Sequence, residues 1–76
     1  MGKGFVRYPE IGKQYNHYKG GVYEVISLAT HSETNEVLVI YKSVLFGSVY
    51  ARPLGMWFDE VENHAGNLVP RFELRS

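Results

Sequence analysis

The sequence contains no cysteine. No disulfide and no thiolate zinc site can staple the chain, so its core must hold by packing alone. It also lacks a surplus of either charge: 8 Lys and Arg stand against 8 Asp and Glu. A neutral total argues against a broad, sequence-independent hold on nucleic acid, which draws on an excess of positive charge. No stretch approaches the ~18 apolar residues that cross a bilayer. No apolar run of secretory length follows Lys3, and Val6 stands where N-myristoylation after Gly2 wants Ser or Thr. The expected setting is therefore cytoplasmic and off the membrane. Nor is there a phosphate cradle of the GxGxxG or Walker type, with the helix that must follow it.

What the sequence has in quantity is aromatic side chains, 14% of 76 residues, six of them tyrosine. That content at zero net charge excludes disorder. The length allows one domain, and a chain this short buries roughly 60% of its unfolded surface, so its stability is modest. Residues 1–13 carry Gly2, Gly4, Pro9 and Gly12 without a stable period and read as an arm. Phe5, Val6, Tyr8 and Ile11 would dock that arm on a body spanning 14–76, the alternative being a frayed terminus.

Within the body the periodicity is that of strands. Residues 15–18 form a short strand, and Lys19-Gly20-Gly21 is a turn that permits positive φ. VYEVISLAT, residues 22–30, is β-branched and aromatic, and both of its faces are partly apolar, as in a strand inside a small closed barrel or one covered by loops. HSETNE, residues 31–36, is a polar turn. VLVIYK, residues 37–42, is the strongest strand and pairs with 22–30 as a hairpin. Residues 49–52 form another strand, ended by Pro53. LGMWF, residues 54–58, reads as a 3₁₀ turn that plugs the core with Leu54, Met56 and Phe58. Residues 59–62 form a short strand with Val61 inward, 63–67 a loop, and 71–74 a closing strand with Phe72 and Leu74 on one side. Five or six short strands without a long helix point to an all-β fold, a small barrel or sandwich. A curled barrel hides more edge at this length.

The sequences YNHYKGGVYEV (15–25), ATHSE (29–33), VIYK (39–42), ARPLGMWF (51–58) and PRFEL (70–74) resemble, as a set, the small bacterial family called domain of unknown function 1653. The resemblance covers residues 15–74. It implies a compact fold similar to SH3-like barrels and implies no established activity. One departure is that the family usually has Trp and a β-branched residue before its Arg-Pro pair. Here Tyr50 and Ala51 precede Arg52-Pro53, and the single indole is Trp57.

Several residues have chemistry to offer. His17, Tyr18 and Lys19 lead into Gly20-Gly21, either as a polar rim cluster beside anion-binding N–H groups or simply as a turn. Arg52 and Arg71, each next to a proline, would converge on a carboxylate or phosphate, or else pair internally with Glu24, Glu33 or Glu60. His31 would face the same region as His17. His31-Ser32-Glu33 is no hydrolase triad, because adjacent strand residues diverge and no nucleophile elbow is present. Ser32 is expected to bond the turn backbone instead. His17, His31, His64 and Glu33 have no metal-motif spacing, and neither a metal nor a cofactor is expected. Tyr15, Tyr18, Tyr23, Tyr41, Tyr50 and Trp57 either pack the barrel or line a recognition surface.

The sequence therefore favours a non-catalytic recognition module. Its ligand would be a peptide, a nucleotide or a nucleic-acid segment, with an anionic or nucleotide-like group. The patch would comprise His17 (hydrogen bonding), Tyr18 and Tyr41 (stacking), and Lys19 and Arg52 (anion contact), with Arg71 either structural or ligand-binding. Three alternatives accompany it. Specific nucleic-acid binding requires Lys13, Lys19, Lys42, Arg52 and Arg71 to converge. A homo-oligomer would form through exposed edges. A small enzyme would use His17 or His31 as acid and base.

Overall fold

The computed structural model describes residues 7–75. Among these, seven strands follow in chain order: β1 (Gln14–His17), β2 (Val22–Thr30), β3 (Val37–Ser43), β4 (Val49–Pro53), β5 (Glu60–Glu62), β6 (Leu68–Pro70) and β7 (Phe72–Leu74). One 3₁₀ turn, Leu54–Met56, separates β4 from β5. The fold is all-β, as its strand periodicity predicts. No helix among the described residues is long and apolar enough to cross a membrane.

The strands form two antiparallel sheets. One has the order β4-β3-β2-β1-β7, and the other is the β5-β6 hairpin. The closed barrel expected from strand spacing is not what the ladders draw. Among the described residues the five-stranded sheet is open at β4 and β7. The strands that would bridge the gap pair with each other instead, Val61 opposite Val69. β6 has no counterpart in the sequence reading, because a three-residue segment ending in Pro70 is too short to show a period.

The two-sided apolar pattern of β2 has a local cause. Its register against β3 shifts between Val25 and Ser27, leaving Ile26 as the extra residue of a β-bulge. Before the bulge Tyr23 and Val25 face inward; after it Leu28 does. Ile26 points outward and is exposed. A single inserted residue thus moves the inner face from odd to even positions.

The core comprises Tyr15, Val25, Val39, Tyr41, Trp57 and Phe72, with Tyr23, Leu28, Leu54 and Phe58 packed against it. Trp57 rather than Met56 plugs it: Trp57 is fully buried, while Met56 is 41% exposed. The 3₁₀ period explains the exchange. Residues i and i+3 eclipse, so Leu54 and Trp57 share a side, and the Trp57 N–H donates to the Leu54 carbonyl at 3.0 Å. The indole stacks on Phe72, centroids 3.9 Å apart and planes within 3°. It meets Tyr15 and Tyr41 edge-on at 5.5 and 5.0 Å.

Of the N-terminal arm, Phe5 and Val6 lie outside the described residues. From Arg7 onward the segment lies against the body. The Arg7 guanidinium sits 3.9 Å from the centre of the Phe58 ring. Pro9 is buried, whereas Tyr8 and Ile11 are exposed. The Glu10 N–H donates to the Tyr15 hydroxyl at 2.9 Å, and the Gly12 N–H to the Val25 carbonyl at 2.8 Å.

Candidate functional site

Alternation along five paired strands decides which side chains share a face. His17 is paired with Phe72 across β1 and β7, and Tyr15 with Tyr23 across β1 and β2. Tyr41 is paired with Tyr50, and Val39 with Arg52, across β3 and β4. Because paired residues project to the same side, His17, Tyr23, Tyr41, Tyr50, Arg52 and Phe72 stand together on the concave face. They line a cleft of about 260 Å³.

Its walls are aromatic. Tyr23 meets Tyr41 at 5.6 Å and Tyr50 at 6.3 Å, both edge-on, and Tyr41 and Tyr50 lie tilted at 5.5 Å. His17 stands edge-on to Phe72 at 4.9 Å. The Phe72 ring that backs the cleft is the one stacked on Trp57, so the cleft floor is continuous with the core.

The hairpin between β1 and β2 places His17. Its carbonyl accepts the Gly20 N–H at 2.8 Å, and its N–H donates to the Gly21 carbonyl at 3.1 Å. Gly20 and Gly21 have φ of 106° and 89°. A Cβ on Gly21 would meet the Tyr23 ring at 3.3 Å, so glycine leaves room for a cleft wall. The His17 Nδ1 accepts the Lys19 N–H at 3.1 Å, which puts the proton of the neutral ring on Nε2. Burial first, then the charges of Arg52, Arg71 and Lys19, lower the His17 pKa below its ordinary 6.5.

Arg52 is the charged group of the cleft. It is half-buried, and its Nε donates to the Tyr41 hydroxyl at 3.4 Å. Its guanidinium carbon lies 5.8 Å from the Phe72 centroid. Among the described residues no carboxylate comes within 4 Å of it; the one ion pair there joins Arg71 to Asp59, at 3.9 Å. Arg52 is therefore a cation held by aromatic rings, with its terminal nitrogens uncommitted to any acid.

The other residues singled out by sequence divide differently. Arg71 is outside the cleft lining. Its backbone ties the chain together, the N–H donating to the Asp59 carbonyl and the carbonyl accepting the Tyr18 N–H. Tyr18 and Lys19 sit beyond His17 in the hairpin turn and border a separate hollow with Glu62, Asn63 and His64. Lys42 lies on the opposite face, paired with Glu24, so the five basic residues considered for nucleic acid do not share one face. His31 closes the far end of β2, about 25 Å of strand from His17. There its Nδ1 accepts the Glu33 N–H at 3.1 Å, and Thr34 bonds the Glu36 N–H. These two, not Ser32, cap the turn. Tyr23, Tyr50 and Phe72 are cleft residues outside the patch expected from the sequence. The loop length between β3 and β4, which sets Tyr41 opposite Tyr50, was the available signal.

A family model described as "Protein of unknown function (DUF1653)" matches residues 13–74. Among solved structures, the chain is similar to the crystal structure of a protein belonging to DUF1653 from Bordetella bronchiseptica. The two share 35% identity over 82% of each chain, with a TM-score of 0.72. No curated protein matches.

Proposed function

The chain belongs to the DUF1653 family, and we propose that it is a non-catalytic recognition module whose aromatic cleft takes a small planar group bearing an anion. The observation that carries this reading is Arg52: a half-buried guanidinium on the cleft wall, bonded to the Tyr41 hydroxyl, with no carboxylate partner among the described residues. A planar forked cation with free donors suits a carboxylate or phosphate. The rings of Tyr23, Tyr41 and Tyr50 suit the flat group attached to it. Neutral His17 adds an Nε2–H donor on the opposite wall. The SH3-like barrel belongs to the same proposal: the open sheet, with its β5-β6 hairpin, is read as such a barrel left unclosed on one side.

Benzoate, phenyl phosphate and adenosine monophosphate, with benzyl alcohol as the uncharged control, test this by thermal shift at low salt. At 100-fold its dissociation constant a binder adds about 2.7 kcal/mol, roughly 11–22 °C in a domain this small. The anions should raise Tm, benzyl alcohol should not, and Arg52→Gln should weaken the anions at least tenfold. Equal response to benzyl alcohol, or indifference to Arg52→Gln, would sink the reading.

A further inference from the structure

The cleft opens at the edge of the sheet, and that edge says what kind of molecule delivers the anion; the inference rests on the anion-binding reading above. The Ser43 N–H donates to the Ser48 carbonyl at 2.9 Å. The pairs Tyr41–Tyr50 and Val39–Arg52 follow at two-residue intervals. Antiparallel ladders alternate, so Ser48, Tyr50 and Arg52 turn their backbone groups toward β3. Val49 and Ala51 turn theirs outward, together with the Pro53 carbonyl. Among the described residues no strand pairs with that side of β4.

Two outward N–H donors two residues apart, with carbonyls between and beyond them, form a template for an added strand. The other edge is a poorer one: β7 has three residues and begins two positions after Pro70. β4 also alternates in chemistry. On the concave side it presents Tyr50 and Arg52 to the cleft; on the convex side it presents Val49 and Ala51, both exposed. The hairpin tip before it extends the apolar strip with Val44, Leu45 and Phe46, the last two 80% exposed.

We propose that the protein binds an extended peptide segment of a partner as a sixth strand along the outer edge of β4. The peptide alternates acidic and apolar side chains. Its acidic residues fall opposite Arg52, where cross-strand neighbours on one face meet, and its apolar residues fall beside Val49 and Ala51. Arg52 supplies the charge complementarity, since no acid of its own chain neutralises it among the described residues.

The test uses the full chain, labelled with ¹⁵N, and a capped eight-residue peptide alternating glutamate and valine. Two versions carry N-methyl groups at alternate amides, one in each frame. A fourth peptide replaces glutamate by lysine, and benzoate serves as the cleft-only probe. The first peptide should bind and slow hydrogen exchange of the Val49 and Ala51 amides. N-methylation should weaken binding at least tenfold in one frame and little in the other, and the lysine peptide should not bind. Equal binding of both methylated frames, unchanged Val49 and Ala51 exchange, or binding of the lysine peptide would each overturn strand addition. If benzoate binds and the peptide does not, strand addition fails while the cleft reading survives; if neither binds, both fail.

Discussion

Replacing Phe72 by alanine tests whether the cleft and the core are one construction. Phe72 is 3% exposed and stacks face to face on Trp57 at 3.9 Å. It also meets His17 at 4.9 Å and Tyr41 at 5.5 Å, edge-on. Truncating a buried Phe costs about 3–5 kcal/mol, transfer and cavity together. A 76-residue domain at roughly 0.05–0.15 kcal/mol per residue holds only about 4–11 kcal/mol in all. Phe72→Ala should therefore remove about a quarter of the stability at least, and at the low end unfold the protein at room temperature. The melting temperature should fall by roughly 12–40 °C, at about 4–8 °C per kcal/mol. Trp57, the single tryptophan and fully buried, reports the transition by its emission in a urea titration. Phe72→Leu, which keeps most of the volume, should cost under about 1.5 kcal/mol. A loss below about 1 kcal/mol for Phe72→Ala, with native Trp57 emission unmoved, would refute the claim that this stack fastens β7 to the core.

Three further outcomes follow from the same geometry. His17 has a lowered pKa in the folded state, so the unfolded chain binds the proton more tightly and stability falls as pH drops from the unfolded 6.5 toward the lowered folded value; urea titrations between pH 8 and 5 should show this slope, flattened in His17→Asn. Gly20→Ala and Gly21→Ala both force a side chain to positive φ, costing about 1–2 kcal/mol; the second should cost more, because only there does the new Cβ meet the Tyr23 ring, and parallel thermal melts compare the two. Tyr15→Phe removes the acceptor of the Glu10 N–H, which should cost about 0.5–1.5 kcal/mol and speed hydrogen exchange at the Glu10 amide.

The strands were legible where period and turn chemistry agreed. Residues 22–30 carry β-branched and aromatic side chains bounded by Gly21 and a polar turn, and β2 spans those residues. What could not be read was phase. A bulge leaves no mark in composition, so in the sequence Ile26 on the outer side of β2 reads as burial on two faces, the pattern of a closed barrel or of a strand covered by loops. Likewise LGMWF is apolar throughout, and only the 3₁₀ period separates Trp57, inside, from Met56, outside.

The candidate site was half legible for the same reason. His17, Tyr41 and Arg52 were visible as residue types, but whether they meet depends on registers between distant strands. The internal partners considered for Arg52 are removed by geometry rather than by chemistry. Glu24 faces away, paired with Lys42. Glu33 is in the turn beyond β2, and Glu60 belongs to the separate β5-β6 sheet. Glu73, the nearest acid along β7, alternates with Phe72 and so lies on the other face. A chain of zero net charge can thus fold with Glu24 and Glu73 on the convex face, Glu33 and Glu36 in the far turn, and Glu60 and Glu62 on a second sheet. The concave face then keeps a guanidinium without a carboxylate and a histidine whose pKa is lowered by burial first and by three cations after it. The sum of charges constrains the average surface; the alternation of strands decides the field inside one cleft.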